Sequence, residues 1–467
     1  GDYNCLFDPV VHLKRFFDAA GDWLFLIDEA HNLPDRARAM YSAQFAKSSL
    51  TEAKRALGKG KSSLKTALTK ADKVFLAARK ACAQAAPRTG AEPAGETDPT
   101  QVSLLPAETV PDFALPEPLY ARDGTVFLQQ LPAALPAVLR AVHTPLQDWL
   151  EQNPEDPAHA QLLELYFALQ DIARAADRYD SHFVTQLTAR GSELELHLLC
   201  LDPAPFVDAS LAAGRSAALF SATLTPPAFY RSVLGCADAR AVALPSPFPP
   251  ENLGLFCLPG ISTRYRQREA SVPAVADALA ALAKGKTGNY LAFFPSYAYL
   301  QQVYEAFAAR WPDISTLVQQ RSLDDAGRAE FLAQFQKSDG RPLLGFAVLG
   351  GVFGEGVDLT GERLIGAAIV SPGLPQVGPR QEQLRDYFEQ TRGSGCDYAY
   401  RFPGMNKVLQ AAGRVIRTPE DRGVVLLIDD RFLAPDTRRL MPPHWEPLRV
   451  VESAETLAGE LERFWGR

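Results

Sequence analysis

Residues 23–27 (Trp-Leu-Phe-Leu-Ile) form an unbroken apolar run that is closed at once by Asp28-Glu29-Ala30-His31. A run of this kind suits a short strand buried on both faces of a parallel sheet. Ligands of such sheets gather at the carboxyl edge of the strands. There one carboxylate can hold Mg²⁺, directly or through water, and the next can orient and deprotonate an attacking water. Alone, the four letters also fit the start of a surface helix. The strand in front of them shifts the reading toward a site.

Strand-length text recurs at 194–201 and 216–220, and again at 290–294, 314–318, 343–348, 364–370 and 424–428. Helical text lies between the later runs, which is the rhythm of a second parallel-sheet domain. Residues 47–190 differ. Ala, Leu, Lys and Arg dominate 51–85, residues 87–118 read as an irregular linker, and helical stretches follow at about 126–152 and 157–180. The fold expected is therefore α/β in four stretches. They are 1–46 and 191–239 of a first domain, 47–190 as a helical insertion, and 240–467 as a second domain. A chain of 467 residues has room for two or three domains.

Three further patterns carry chemistry. Ser221-Ala222-Thr223-Leu224 follows a second apolar run; alone it is an ordinary strand-to-turn junction. Gly350-Gly351-Val352-Phe353-Gly354-Glu355-Gly356-Val357-Asp358 brings four glycines together. Glycine lets backbone pass close to a ligand and adopt positive φ. A plain glycine-rich turn stays open as a reading, whereas no helical pattern follows to make a dinucleotide loop. Gln410-Ala411-Ala412-Gly413-Arg414-Val415-Ile416-Arg417 would put Gln410, Arg414 and Arg417 on one helix face, a fork of planar donors suited to phosphate oxygens. A solvated basic helix end is the alternative.

In this order the four patterns resemble motifs II, III, V and VI of the XPD/DinG family of superfamily 2 helicases. Phe293-Phe294-Pro295-Ser296-Tyr297 is similar to motif IV of that family, and Ser246-Pro247-Phe248-Pro249-Pro250 to the entry into its second motor domain. The resemblance implies two RecA-like motor domains, the first incomplete, with an Arch-like insertion at 47–190. It implies an ATP- and Mg²⁺-dependent DNA helicase moving 5′ to 3′ on single-stranded and forked DNA, in repair. Asp28 would bind Mg²⁺, and Glu29 would activate water. His31, Ser221 and Thr223 would couple the nucleotide site to the DNA track. Glu355, Gly356 and Asp358 would lie at the cleft between the motor domains, which Arg414 and Arg417 would cross as arginine fingers with Gln410 beside them. A non-catalytic DNA-binding scaffold and an RNA helicase are the competing classes.

The departures are as informative. The family's phosphate loop, GxxxxGK[ST], precedes motif II, and the 27 residues before Asp28 do not contain it. Gly60-Lys61-Ser62 and Gly285-Lys286-Thr287 lack the leading glycine, having Arg55 and Ala280 there. The family's 4Fe–4S cluster needs four cysteines upstream of motif II, where Cys5 stands alone. Gly1 is not Met, so the chain reads as a piece of a longer protein whose phosphate loop and cluster lie upstream, and as inactive by itself. The other cysteines (Cys82, Cys200, Cys236, Cys257, Cys396) form no CxxC and read as free, mostly buried thiols of a reducing cytoplasm. No apolar run approaches the roughly 18 residues of a membrane span.

The net charge of −7 leaves room for a locally positive groove. Arg264-Tyr265-Arg266-Gln267-Arg268 is the densest basic-aromatic cluster. Together with Tyr297 and Tyr299 it is a candidate for stacking on single-stranded DNA, with a solvated loop as the alternative for the cluster and packing against motif IV as the alternative for the two tyrosines. Lysines 54, 59, 61, 65, 70 and 73 read as a solvated helix face or an Arch surface near DNA.

Overall fold

The apolar run at 23–27 forms strand β1 (Leu24–Ile27). It belongs to the first of two units, Gly1–Phe220 with Ser232–Ala237; the second is Ser221–Arg231 with Asp238–Arg467. The computed structural model describes residues 2–17, 20–58, 60, 62–87, 113–335, 340–354 and 359–466. The first unit continues with β2 (Ala43–Ala46), β3 (Pro118–Arg122), β4 (Thr125–Leu128), β5 (Phe183–Arg190), β6 (Glu193–Cys200) and β7 (Ser216–Leu219). β1 and β7 pair in parallel, Leu24 opposite Ser216 and Ile27 opposite Leu219. The expected burial on both faces is not met. Ile27 is buried, but Leu24 and Leu26 are 70% and 76% exposed. Among the described residues β1 has β7 as its one strand neighbour.

The region read as a helical insertion has its helices, at Lys47–Ala56, Ser63–Ala85, Ala134–Gln152 and His159–Asp177. Each lays down an apolar stripe. In Ser63–Ala85, Leu64, Leu68, Ala71, Phe75, Ala78 and Cys82 recur at helical spacing and are all buried. Ser62 caps this helix by accepting the Lys65 N–H at 3.1 Å. The helical reading missed a five-stranded antiparallel sheet, in the order β2-β6-β5-β4-β3, against which these helices close one core. The helix expected from 126 starts at Ala134 because 125–128 is strand. β3 and β4 turn through Asp123-Gly124, at φ 50° and 77°. Two residues of positive φ make the tight hairpin turn that Asp-Gly favours. The linker read at 87–118 falls mostly on 88–112, outside the described residues. Lysines 59 and 61 also lie outside them. Lys54 is not a solvated face residue: with Lys47 it pairs Asp72, joining two helices of the insertion.

The second unit is built on β8 (Leu253–Leu258), β9 (Asn289–Phe294), β10 (Ser315–Val318), β11 (Leu343–Val348), β12 (Gly366–Val370), β13 (Gly423–Ile428) and β14 (Arg449–Val450). They form one sheet in the order β10-β11-β9-β12-β13-β8-β14, and every pairing is parallel. β9, β12 and β13 are buried along their whole length, as their continuous apolar text requires. Helices Arg268–Gly285, Tyr297–Arg310 and Ala454–Trp465 cover one face through Leu279, Val303, Phe307, Leu457 and Leu461. Since all strands run one way, the residues that follow them share a single carboxyl edge.

Candidate functional site

In the first unit, chemistry begins where β1 ends. Glu29 has φ 49°, a left-handed conformation that costs a residue with a Cβ about 1–2 kcal/mol. Local contacts hold it. The Tyr3 hydroxyl donates to the Asp28 and Glu29 carbonyls, 2.6 Å from each, and the Ala30 N–H donates to Phe220 O at 3.1 Å. Burial, with the carboxylates of Glu29 and Asp28, pushes the Tyr3 phenol up against the pull of Arg36, so it stays a donor. Asp28 Oδ1 accepts the Glu29 N–H at 2.7 Å. His31 is buried, and its Nδ1 lies 3.2 Å from Glu29 Oε2, whose side chain is 62% exposed. A fixed imidazole thus stands under a carboxylate open to solvent. Asp28, Glu29 and His31 are brought together; the contribution of Tyr3, outside any motif, was not legible in the sequence.

Oxygen donors from one or two carboxylates suit Mg²⁺, which usually keeps several waters and takes its other ligands from phosphate. Asp28 fits that role. Among the described residues no three His, Cys, Asp or Glu side chains gather into a metal site, and all six cysteines are free thiols, three of them buried.

In the second unit, the motif IV segment, the described part of the glycine-rich loop and Arg414 are linked along the carboxyl edge. Ser296 ends the turn after β9 and caps helix Tyr297–Arg310, accepting the Tyr299 N–H at 3.4 Å. The Tyr297 hydroxyl accepts from the Gln319 side-chain amide at 2.9 Å, and Gln319 Oε1 accepts the Val348 N–H at 2.8 Å. Gln319 follows β10 and is buried. It ties the motif IV region to the start of the glycine-rich loop, and no sequence motif marked it. Gly350 has φ 74°, and a Cβ there would come within 2.8 Å of the Lys407 stem, so both conformation and space call for glycine. Glu355, Gly356 and Asp358 lie outside the described residues.

The expected helix face for Gln410, Arg414 and Arg417 is corrected. The helix Phe402–Ala412 ends before Arg414, at Gly413. Asp421 then takes the N–H groups of Arg417 and Thr418 at 2.7 and 2.8 Å, turning the chain toward β13. Gln410 is on the helix, whereas both arginines follow it. Arg414 reaches back and donates to the Gly354 carbonyl at 3.0 Å, and Arg417 is exposed.

Ser221 and Thr223 share a turn in which the Thr223 N–H donates to Ser221 Oγ at 3.2 Å. In the basic-aromatic cluster, Arg264 pairs with Asp430 at 2.8 Å, while Tyr265 is 85% exposed. Arg268 is turned inward over Tyr299, which is buried with its hydroxyl 2.6 Å from Ser271 Oγ and so packs in the core instead of facing a strand. Next to it lies a buried network. Asp429 accepts from Thr263 N at 2.9 Å and from Arg431 Nε at 2.6 Å, and Arg431 also reaches Ser371 at 3.3 Å.

A parallel sheet of this order, with its polar residues strung along the carboxyl edge, is the core of a RecA-like motor domain. Residues 279–448 match the helicase C-terminal domain family. The chain is 31% identical over 199 residues to the regulator of telomere elongation helicase 1 homolog of Anopheles gambiae, covering 38% of this chain and 20% of that protein. It is 25% identical to the general transcription and DNA repair factor IIH helicase subunit XPD of Schizosaccharomyces pombe (57% and 36% covered). It is 28% identical to the ATP-dependent DNA helicase YoaA of Escherichia coli (44% and 31%). It therefore spans about a fifth to a little over a third of these relatives' lengths. Two solved structures share the fold: S. tokodaii Xpd4 (TM-score 0.60, 13% identity, 96% of this chain and 81% of that one) and an apo XPD (0.56, 15%, 96% and 81%). In these matches the chain is similar to the XPD/DinG-like superfamily 2 helicases.

Proposed function

We infer that this chain forms the greater part of an ATP-dependent DNA helicase that moves 5′ to 3′ along single-stranded DNA and opens forked duplexes in repair. What carries the reading is the junction at the end of β1, where His31 holds the carboxylate of Glu29 beside Asp28. Asp28 is assigned to Mg²⁺, which when bound polarises and neutralises the phosphates. Glu29 orients the attacking water and takes its proton. His31 fixes the Glu29 carboxylate, and with Ser221 and Thr223 it relays the state of the nucleotide to the DNA track. Arg414 and Arg417 stabilise charge on the transferring phosphoryl group, with Gln410 beside them. Glu355, Gly356 and Asp358 complete the nucleotide-responsive loop. Arg264, Tyr265 and Tyr297 face the strand. Residues 1–46 and 191–239 serve as the first motor domain, 47–190 as the Arch-like insertion and 240–467 as the second motor domain. The site of action is the cytoplasm; no described helix is long and apolar enough to cross a membrane. A 4Fe–4S cluster finds no cysteine set among the described residues.

The test is DNA-stimulated phosphate release by the full-length protein. Glu29→Gln should abolish release while ATP binding persists, and single-stranded RNA should stimulate far less than DNA. Turnover within a few fold of the unaltered protein would remove Glu29 from the role of base. Equal stimulation by RNA would overturn the DNA assignment.

A further inference from the structure

A cavity of about 530 Å³ opens between helix Tyr297–Arg310 and the end of β10. Its floor is apolar, made by Leu300, Val318 and the ring of Tyr304, which packs edge-on against the core residue Phe346. Tyr297 forms one wall. The guanidinium of Arg321 lies 5.8 Å from the centre of its ring. Gln302 and Gln320 stand exposed at the rim. Among the described residues the lining carries Arg321 and no carboxylate.

Each feature selects the same kind of guest. An aromatic ring with a guanidinium over it, free to swing off toward a phosphate, offers a flat platform for another π-face, and stacking of this kind tolerates any base. The platform is fixed beforehand: Gln319 holds the Tyr297 hydroxyl and is itself held by the Val348 N–H. A ring that is already immobile loses little freedom on binding. Side-chain amides present a donor and an acceptor together, the pattern that reads a base edge. Arg321 can reach a phosphate as well as a ring. The cavity falls within the usual size range of small-molecule sites. We propose that this slot receives one unpaired nucleotide of the bound strand, its base laid on Tyr297, its edge met by Gln302 and Gln320 and its phosphate by Arg321. The proposal rests on the reading of the chain as a single-strand DNA motor and adds to it a base-holding slot that joins Tyr297 of the motif IV segment to Gln302, Gln320 and Arg321, which lie outside the helicase motifs.

The experiment compares binding of the full chain to a short oligothymidylate and to an abasic strand of equal length. The unaltered chain should prefer the strand with bases by about tenfold, the scale of one stacked base. Gln302→Ala/Gln320→Ala alters exposed side chains, so the fold is retained; it should lower that preference by a few fold, the share of the edge contacts, while binding the abasic strand as before. Arg321→Ala should weaken both strands and lower the salt dependence by about one phosphate contact. A strand carrying 5-iodouracil should photocrosslink to Tyr297. Binding of both strands with the preference intact in the double glutamine variant, or crosslinks elsewhere, would overturn the slot and leave the DNA reading standing. An unaltered chain that binds neither strand would overturn both.

Discussion

The Gln319 side chain donates to the Tyr297 hydroxyl at 2.9 Å and, through its oxygen, accepts the Val348 N–H at 2.8 Å. One amide thereby braces the segments that follow β9, β10 and β11. Gln319→Leu keeps the volume but strands the Val348 N–H and frees Tyr297. A buried backbone donor left unmatched costs about 1–3 kcal/mol. Thermal denaturation should show a melting temperature lower by several degrees, and single-strand affinity should fall with it. An unchanged melting temperature would mean that water replaces the amide.

His31 is expected to act through Glu29. With His31→Ala, DNA-stimulated turnover should fall about tenfold or more, since a misplaced catalytic group loses much of its effect. ATP affinity should stay within a few fold, because the role proposed for His31 runs through the Glu29 carboxylate it contacts. A loss confined to ATP affinity would move His31 from positioning to binding.

The two arginines after helix Phe402–Ala412 should behave differently. In its proposed role as an arginine finger, Arg417 should be worth about 10³-fold in turnover, and because it is exposed, Arg417→Ala should leave DNA affinity and melting temperature nearly constant. Arg414 holds the Gly354 carbonyl. Arg414→Ala should therefore reduce turnover and also loosen the glycine-rich loop, read as faster amide exchange at 350–354. Equal exchange in the two variants would count against this division of roles.

Asp429 gives the second unit a pH dependence. Burial would raise its carboxyl, but hydrogen bonds from Arg431 and Thr263 outweigh burial and hold it below the ordinary carboxylate range. A group depressed in the folded state stabilises fully above its unfolded value, near 3.9, and loses that contribution as pH falls through the folded value. Stability should therefore be flat in this respect above about pH 5 and decline below pH 4. Arg431→Ala leaves a buried carboxylate short of its main partner and should cost about 3–5 kcal/mol at neutral pH. Urea denaturation of the variant at pH 7 and at low pH measures both effects. A variant as stable as the unaltered protein at pH 7 would show the network to be dispensable.

What the sequence displayed depended on how each element is buried. β9, β11 and β13 lie within the sheet, so their text is an unbroken apolar run and their positions were legible to within a residue. β5 buries Thr185, Gln186 and Thr188 among its apolar residues, which erased both the alternation and the run. The Asp123-Gly124 turn was a signal for the missed hairpin. The helix end before Arg414 was also marked, by Gly413 and by Pro419 beyond it. Asp28, Glu29 and His31 were legible because they stand close together in the sequence, directly after an apolar run. Gln319 and Tyr3 were not, since each acts on segments remote in sequence and belongs to no local pattern.

β8 opens the second unit's sheet, yet both strands that flank it, β13 and β14, come from residues 423–428 and 449–450. During synthesis β8 leaves the ribosome long before either partner exists. Pairings this distant in sequence are slow to form and leave an unpaired edge exposed meanwhile. The second unit should therefore acquire protease resistance only once translation has passed residue 450. A chain stopped at residue 422 would hold β8 without a neighbour on either side, and it should be recovered bound to chaperones or in the insoluble fraction.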